Sequence, residues 1–330
     1  MPKIKIVTEA ELRSHVGLDL DTVKCVEGAF AALAGGEVVM PPILSLDIAR
    51  YNGEVDVKTA YVPGVDSFAI KMSGGFFDNP KIGLPSLGGL MVLFSAKTGV
   101  LEALLLDNGY LTDVRTAAAG AVVGKHLGRE DASAVTIIGG GLQARLQLEA
   151  LCLVRPVKSA KIWARNGEQA QTAARELTDK LSIEVTAAED AAAAVGAADI
   201  VVTTTPSTTP LVMSDWLRPG QLVIAMGSDN THKNEVDPGA LAQADLFVCD
   251  RQSQCERLGE LHHAIEAGAL DGEGDYLEIG QVVAGAHPGR SSEDELIVCD
   301  LTGTGVQDTA IATLAFERCL KAGVGQDFES

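Results

Sequence analysis

The chain has 330 residues, 46% of them hydrophobic, and a formal net charge of −19. That length allows two domains, each with a sizeable core. Its acidic side chains are scattered and no basic run occurs, which excludes nucleic acids and anionic membranes as partners. No apolar run reaches membrane-spanning length, and residues 1–7 lack the apolar segment of a signal peptide. The six cysteines show neither Cys-x-x-Cys nor Cys/His ligand spacing. A cytoplasmic protein with reduced thiols and no metal site is expected.

In chain order, residues 1–35 read as a strand, a turn and a helix, with Thr8-Glu9-Ala10-Glu11 as a helix start. A second helix covers 20–33 and stops at Gly35-Gly36. Strands follow at 56–61, 67–72, 89–95 and 101–106, punctuated by Asn52-Gly53, Pro63-Gly64, Asp78-Asn79-Pro80 and Lys97-Thr98-Gly99. A helix rich in alanine and valine over about 112–127 leads into a different rhythm. Strands at 134–138, 160–164, 199–204, 222–226, 245–249 and 296–300 have helices between several of them, which predicts a doubly wound parallel sheet. An amphipathic helix over 306–322 ends the pattern and is free to return to the first domain. The predicted fold is α/β. A Rossmann domain (126–305) is inserted into a β-rich α+β domain (1–125 plus 306–330) serving substrate binding and dimerisation.

The most informative stretch is Val135-Thr136-Ile137-Ile138-Gly139-Gly140-Gly141-Leu142-Gln143-Ala144. An apolar strand runs straight into Gly-x-Gly-x-x-Ala and then a helix, the context that dinucleotide binding requires. Gly139 allows the tight turn, Gly141 lets backbone approach a pyrophosphate, and Ala144 lets helix and sheet pack closely. A purely structural glycine turn is the alternative. After the second strand, Arg165 suits a 2′-phosphate, whereas the nearby Glu168 and adenine stacking by the arginine suit NAD. The balance favours NAD, with NADP as the alternative. Thr203-Thr204-Thr205-Pro206-Ser207 and Ala225-Met226-Gly227-Ser228-Asp229 follow later strands on the ligand-binding edge. Ordinary polar strand ends or caps are the competing reading for them.

The stretch from Asp107 to Ala119, with Leu111-Thr112-Asp113-Val114-Arg115-Thr116-Ala117-Ala118 at its heart, resembles the ornithine cyclodeaminase/μ-crystallin family. The likeness continues through Ile138–Ala144, Thr205-Pro206-Ser207, Gly227-Ser228-Asp229, Asn234-Glu235-Val236-Asp237 and Gly303-Thr304-Gly305-Val306-Gln307-Asp308. The resemblance implies a homodimer formed through the N-terminal domain. It also implies that Lys71 and Arg115 hold a substrate carboxylate, with Asp229 as the acid/base group. Thr116, Gly141, Leu142, Gln143, Arg165, Thr205, Ser228 and Val306 are then expected to border the dinucleotide, with Met226 beside them. Ile43 stands after Met40-Pro41-Pro42 where the family usually has arginine, and Lys58-Thr59-Ala60 stands where many members have Met-Pro-Ala. These departures speak against a strict ornithine cyclodeaminase, and the stretches Glu54-Val55-Asp56-Val57-Lys58-Thr59-Ala60-Tyr61, Leu258-Gly259-Glu260-Leu261-His262-His263 and Thr302-Gly303-Thr304-Gly305-Val306-Gln307-Asp308-Thr309 are similar to the subgroup of iminosuccinate reductases and ectoine-utilisation proteins.

Hydride transfer to a C=N carbon needs a nicotinamide held face-on, an oriented imine and a proton source. Arg115 can fix the α-carboxylate. Lys71 can neutralise that carboxylate or, when desolvated, protonate the imine nitrogen. Asp229 can stabilise the iminium, Lys58 can take a distal carboxylate, and His232 can add a polar contact. The expected activity is reduction of iminosuccinate to aspartate by an NAD(P)H-dependent imino-acid reductase. A cyclodeaminase with tightly bound NAD⁺ and a non-catalytic ligand binder of the μ-crystallin kind are the alternatives. His262 and His263 are adjacent on a predicted helix, so both are not expected to face one site.

Overall fold

The computed structural model describes residues 3–329. The first elements are β1 (Lys3–Thr8), α1 (Glu9–His15) and α2 (Leu20–Ala34). Thr8 and Glu11 close the capping box that starts α1, and Asp19 caps α2 by accepting from the Thr22 N–H. Next come β2 (Leu44–Ile48), β3 (Gly53–Ala60), β4 (Ser67–Phe76), β5 (Leu87–Ser95), β6 (Leu101–Leu106) and α3 (Tyr110–Leu127). The alternating stretch comprises β7 (Ala134–Ile138), α4 (Leu142–Val154), β8 (Ser159–Trp163), α5 (Gly167–Leu181), β9 (Glu184–Ala187), α6 (Ala191–Ala197), β10 (Ile200–Thr203) and β11 (Leu222–Ala225). It continues with α7 (Pro238–Gln243), β12 (Leu246–Cys249), α8 (Gln252–Cys255), α9 (Gly259–Glu266), β13 (Leu277–Glu278), α10 (Ile279–Val283) and β14 (Ile297–Asp300). The chain ends in α11 (Gly305–Ala322) and β15 (Gln326–Glu329).

Two compact units result. One holds the chain up to Arg115 and from Thr304 onward, and the other holds Thr116–Gly303. The sequence predicts these boundaries at 125/126 and 305/306. The first difference arises inside α3, which runs unbroken through the junction and offers no turn or change of composition to mark it.

The first unit is built on a seven-stranded sheet in the order β15-β1-β6-β5-β4-β3-β2, antiparallel except where β1 lies parallel to β6. α11 covers one face. Ile311, Ala312, Ala315 and Cys319 pack with Val7, Leu12, Ala69, Met91, Leu93, Leu105 and Leu111. Each large apolar side chain buried there stabilises the unit by about 1.5–3 kcal/mol. Gly305 opens α11 directly against β3, where a Cβ would lie 2.4 Å from the Thr59 carbonyl oxygen. That close approach sets the first turn of α11 beside the strand carrying Lys58. The edge strand β2 leaves Leu44 and Leu46 exposed, and Val39, Tyr51, Ile82, Leu84 and Leu87 are exposed as well.

The second unit has eight strands in the order β13-β12-β14-β11-β10-β7-β8-β9, every pairing parallel. β10, β11 and β14 are buried along their whole length, as strands covered on both faces must be. Chain order reverses between β7 and β10, and ligands bind at such a crevice in doubly wound sheets. β2, β9, β13 and β15 have no predicted counterpart. They are two to five residues long and too short to establish a period. No helix among the described residues is long and apolar enough to cross a membrane.

Candidate active site

In the first unit the candidate cations converge on a carboxylate. β3 and β4 pair in a register that sets Lys58 directly opposite Lys71, so alternation turns both toward the same face. α3 supplies Arg115 and the first turn of α11 supplies Asp308. Lys71 Nζ lies 3.1 Å from Asp308 Oδ2, and Arg115 Nε donates to Asp308 Oδ1 at 3.0 Å. Arg115 Nη1 also donates to Gln307 Oε1 at 3.1 Å. All four ionisable groups are buried: Lys58 is 7% exposed, Lys71 3%, Arg115 6% and Asp308 0%. Burial pushes the Lys71 ammonium down to about 7, aided by Arg115 and Lys58 and opposed by Asp308. Burial alone would raise Asp308, but Lys71, Arg115 and Lys58 outweigh it and hold the carboxyl below its usual range. Asp107, after β6, is buried and raised to about 6, chiefly by desolvation. Its Oδ2 accepts from the Leu111 N–H, while Oδ1 has no hydrogen-bond partner.

Asp308 is the residue that the sequence chemistry does not single out. It follows the Thr304–Gln307 capping box, where a carboxylate reads as an ordinary complement to the helix dipole. A buried acid becomes recognisable only once β3, β4 and α3 are folded around it.

The second unit holds the candidate dinucleotide elements. Gly139 has φ 137°, and a Cβ there would lie 2.3 Å from Thr204 Oγ1, so only glycine lets the turn after β7 meet the end of β10. Gly141 is the N-cap of α4, has no side-chain capping bond, and has nothing within 4 Å of the position of a Cβ. Leu142 is exposed, Gln143 is half-buried and Ala144 is buried against the sheet. An uncapped helix start with open space before it fits a dinucleotide pyrophosphate. Gln147, one turn into α4, is buried and donates to the Thr116 carbonyl at 3.0 Å. Arg165 is exposed beyond β8, and Asn166, not an acid, caps α5 there by accepting from the Glu168 N–H.

Behind the strand ends lies a set of buried carboxylates. Glu235 accepts from Thr203 Oγ1 at 2.7 Å, the Thr205 N–H at 2.5 Å and the Gly227 N–H at 2.8 Å. It thereby ties the tips of β10 and β11, with Met226 next to Gly227. Burial raises Glu235 to about 7 against the pull of those hydrogen bonds. Glu260 accepts from the Glu235 and Val236 N–H groups, and Asp250 from those of Thr302 and Gly303. Ser228 is buried and donates its hydroxyl to the Lys233 carbonyl. Asp229, in the following loop, is half exposed and ion-paired with Lys233 Nζ at 2.5 Å. His232 is exposed in the same loop, its N–H donating to Asn230 Oδ1. Val306 lies in the first unit, its side chain buried with Ala29, Leu33, Ala60 and Val62.

The family model described as "Ornithine cyclodeaminase/mu-crystallin family" matches residues 3–323. An uncharacterized cyclodeaminase of Sinorhizobium fredii is 59% identical over 331 residues, covering all of both chains. The iminosuccinate reductase of Paracoccus denitrificans is 32% identical over 311 residues, 93% of this chain and 94% of that one. Its crystal structure with NAD⁺ superposes with a TM-score of 0.92 over the whole of both chains at 28% identity. The Δ¹-pyrroline-2-carboxylate reductase of Thermococcus litoralis, solved with NADH and L-proline, gives a TM-score of 0.93 at 28% identity, covering 98% of this chain and 100% of that one. The doubly wound unit, its glycine turn and these full-length likenesses agree, and the chain belongs to the ornithine cyclodeaminase/mu-crystallin family.

Proposed function

We propose that the chain is an NADH-dependent imino-acid reductase whose substrate is a small imino dicarboxylate, iminosuccinate, which it converts to aspartate. The observation that carries this reading is the buried group of Lys58, Lys71 and Arg115 gathered about Asp308. Asp308 holds the Arg115 fork and the Lys71 ammonium in place before substrate arrives, so little ordering remains to be done on binding. Arg115 takes the α-carboxylate with N–H groups beyond the two already engaged. Lys58, across the ladder from Lys71, takes the distal carboxylate. Gly139, Gly141 and the start of α4 would hold the pyrophosphate of a reduced nicotinamide dinucleotide, which would supply the hydride. Lys71 places a proton on the imine nitrogen, and Asp229 stabilises the iminium. Arg165, exposed after β8 with Glu168 close by in sequence, accommodates either cofactor, and NADH is the one proposed.

Lys58→Ala tests the substrate assignment. Loss of one charge-assisted contact, about 1.5–3 kcal/mol, lowers kcat/KM for a dicarboxylic imine by about 10- to 100-fold. A monocarboxylic imine is expected to lose far less. Equal losses on both substrates defeat the distal-carboxylate role. Continuous NADH consumption under the same conditions separates a reductase from a cyclodeaminase, which turns over with no net change in cofactor.

Lys71 also sets a pH dependence. Its protonated form, present below about 7, is the proton donor, so kcat/KM for imine reduction falls as pH rises through that value. Lys71→Arg, whose guanidinium stays protonated and cannot serve as the donor, is expected to lose most of the rate and to show no limb near 7 in what remains. A profile of Lys71→Arg that keeps the wild-type limb assigns it to another group.

The working form is a homodimer. Leu44 and Leu46 on β2 are apolar side chains that a monomer would leave in water, on a strand at the edge of the sheet. Leu46→Arg is expected to convert the sedimenting species from dimer to monomer. An unchanged sedimentation coefficient places the contact elsewhere.

A further inference from the structure

His262, His263 and Glu266 lie in the C-terminal half of α9. The sequence predicts that adjacent histidines cannot share a site, yet both approach one carboxylate. His262 Nε2 is 3.5 Å from Glu266 Oε1, and His263 Nδ1 is 3.9 Å from Glu266 Oε2. The helix explains this, because Glu266 is four residues from one ring and three from the other, so its side chain reaches both. The rings meet edge-on, with centroids 5.1 Å apart.

The remaining ring nitrogens decide the protonation. His262 Nδ1 lies 3.2 Å from the Glu256 carbonyl oxygen, and His263 Nε2 lies 2.8 Å from that of Lys233. A carbonyl oxygen can only accept, so these two nitrogens carry the protons. In the neutral form of each ring the lone pair is then on His262 Nε2 and on His263 Nδ1, the atoms that face Glu266. Metal-binding histidines are oriented in this way, one N–H held by a backbone carbonyl and the other nitrogen presented as a ligand. The negative end of the helix dipole and the acidic chain both attract a cation.

We propose that His262 Nε2, His263 Nδ1 and a Glu266 carboxylate oxygen form a binding site for a divalent transition-metal ion of the zinc type, with water completing its shell. One ligand atom from each of His262, His263 and Glu266 lies within 4.8 Å of the other two. Tetrahedral zinc, with bonds of about 2.0–2.1 Å, draws such atoms to roughly 3.3 Å apart. Glu266 is exposed and can rotate to make that adjustment. Two imidazoles select against magnesium and calcium, which take oxygen ligands. Through the His263 bond to the Lys233 carbonyl, the bound ion braces the loop that carries Asp229 and His232. Binding of the ion is read directly and does not depend on the proposed reaction.

The test uses the full chain, stripped with chelator and titrated calorimetrically with zinc chloride. One ion per chain is expected, with affinity falling about tenfold or more in Glu266→Gln and in His263→Ala. With Cu²⁺ as a spectroscopic probe, electron paramagnetic resonance is expected to show two coupled nitrogens in the parent and one in His262→Ala. Absence of binding, or zinc affinity unchanged in both titrated variants, overturns the proposal, and the second result assigns the ion to other groups such as the thiols. Circular dichroism of Glu266→Gln, a surface substitution, is expected to match the parent and so separates lost binding from lost fold.

Discussion

Asp308→Asn is expected to destabilise the first unit by about 3–5 kcal/mol in mildly acidic buffer, the usual cost of removing one partner from a buried ion pair. Asparagine keeps the shape and can still accept from Arg115 Nε, so the loss isolates the charge. The cost should shrink as pH rises. Asp308 is the main group that opposes the fall of the Lys71 pKa, and without it that pKa drops below about 7 while the unfolded value stays near 10.5. Between the variant's lower value and about 7, the folded variant binds fewer protons than the folded parent, so its stability climbs faster with pH. Above about pH 8 both hold a neutral Lys71 and the difference levels off. Denaturant unfolding at about pH 5.5 and at about pH 8 provides the comparison. A deficit under about 1 kcal/mol, or one identical at both values, would mean that Asp308 is not the counter-charge of the cluster. Activity should fall as well, because Lys71 and Arg115 lose the group that positions them.

This dependence on Asp308 shows what the sequence could and could not reveal. The glycine turn after β7 was legible because its residues are contiguous, each with a local geometric reason to be there, as the φ of Gly139 and the open cap at Gly141 illustrate. The strand–helix alternation was legible for the same reason, since fully buried strands such as β10 and β11 are short apolar runs bounded by turns. Lys71 and Arg115 could be named only through the family likeness. Nothing local distinguishes Lys71 from a lysine at a sheet edge, and its meaning comes from partners at positions 115 and 308. Glu235 is a stronger case. Its oxygens join residues 203, 205 and 227, so no spacing rule in the sequence could anticipate a carboxylate that fastens two strand ends together. The His262–His263 pair shows a different limit. The helical-wheel argument separates the two rings by position, but a long, exposed glutamate one turn later reaches both.

Arg115→Lys is expected to lower kcat/KM by about 100- to 1,000-fold while leaving the fold intact. Lysine keeps the positive charge, and one ammonium can still pair with Asp308, so stability should change by less than the Asp308 substitution costs. What disappears is the planar fork. In the parent, Nε is committed to Asp308 and Nη1 to Gln307, which locks the guanidinium plane and aims its remaining N–H groups in one direction. A carboxylate bound to that plane has its own orientation fixed, and with it the face of the adjoining imine carbon. An ammonium offers three donors with no preferred plane, so a bound substrate rotates and fewer encounters present the carbon correctly. Two charge-assisted hydrogen bonds worth about 1.5–3 kcal/mol each are at stake, and at 1.36 kcal/mol per tenfold a loss of 100- to 1,000-fold uses up only part of them. The loss should appear mainly in kcat, because orientation matters more at the transition state than in the ground-state complex. An increase in KM alone would reduce Arg115 to a binding charge. A variant with full activity would remove it from the site, and the dicarboxylate reading would have to stand on Lys58 and Lys71 without it.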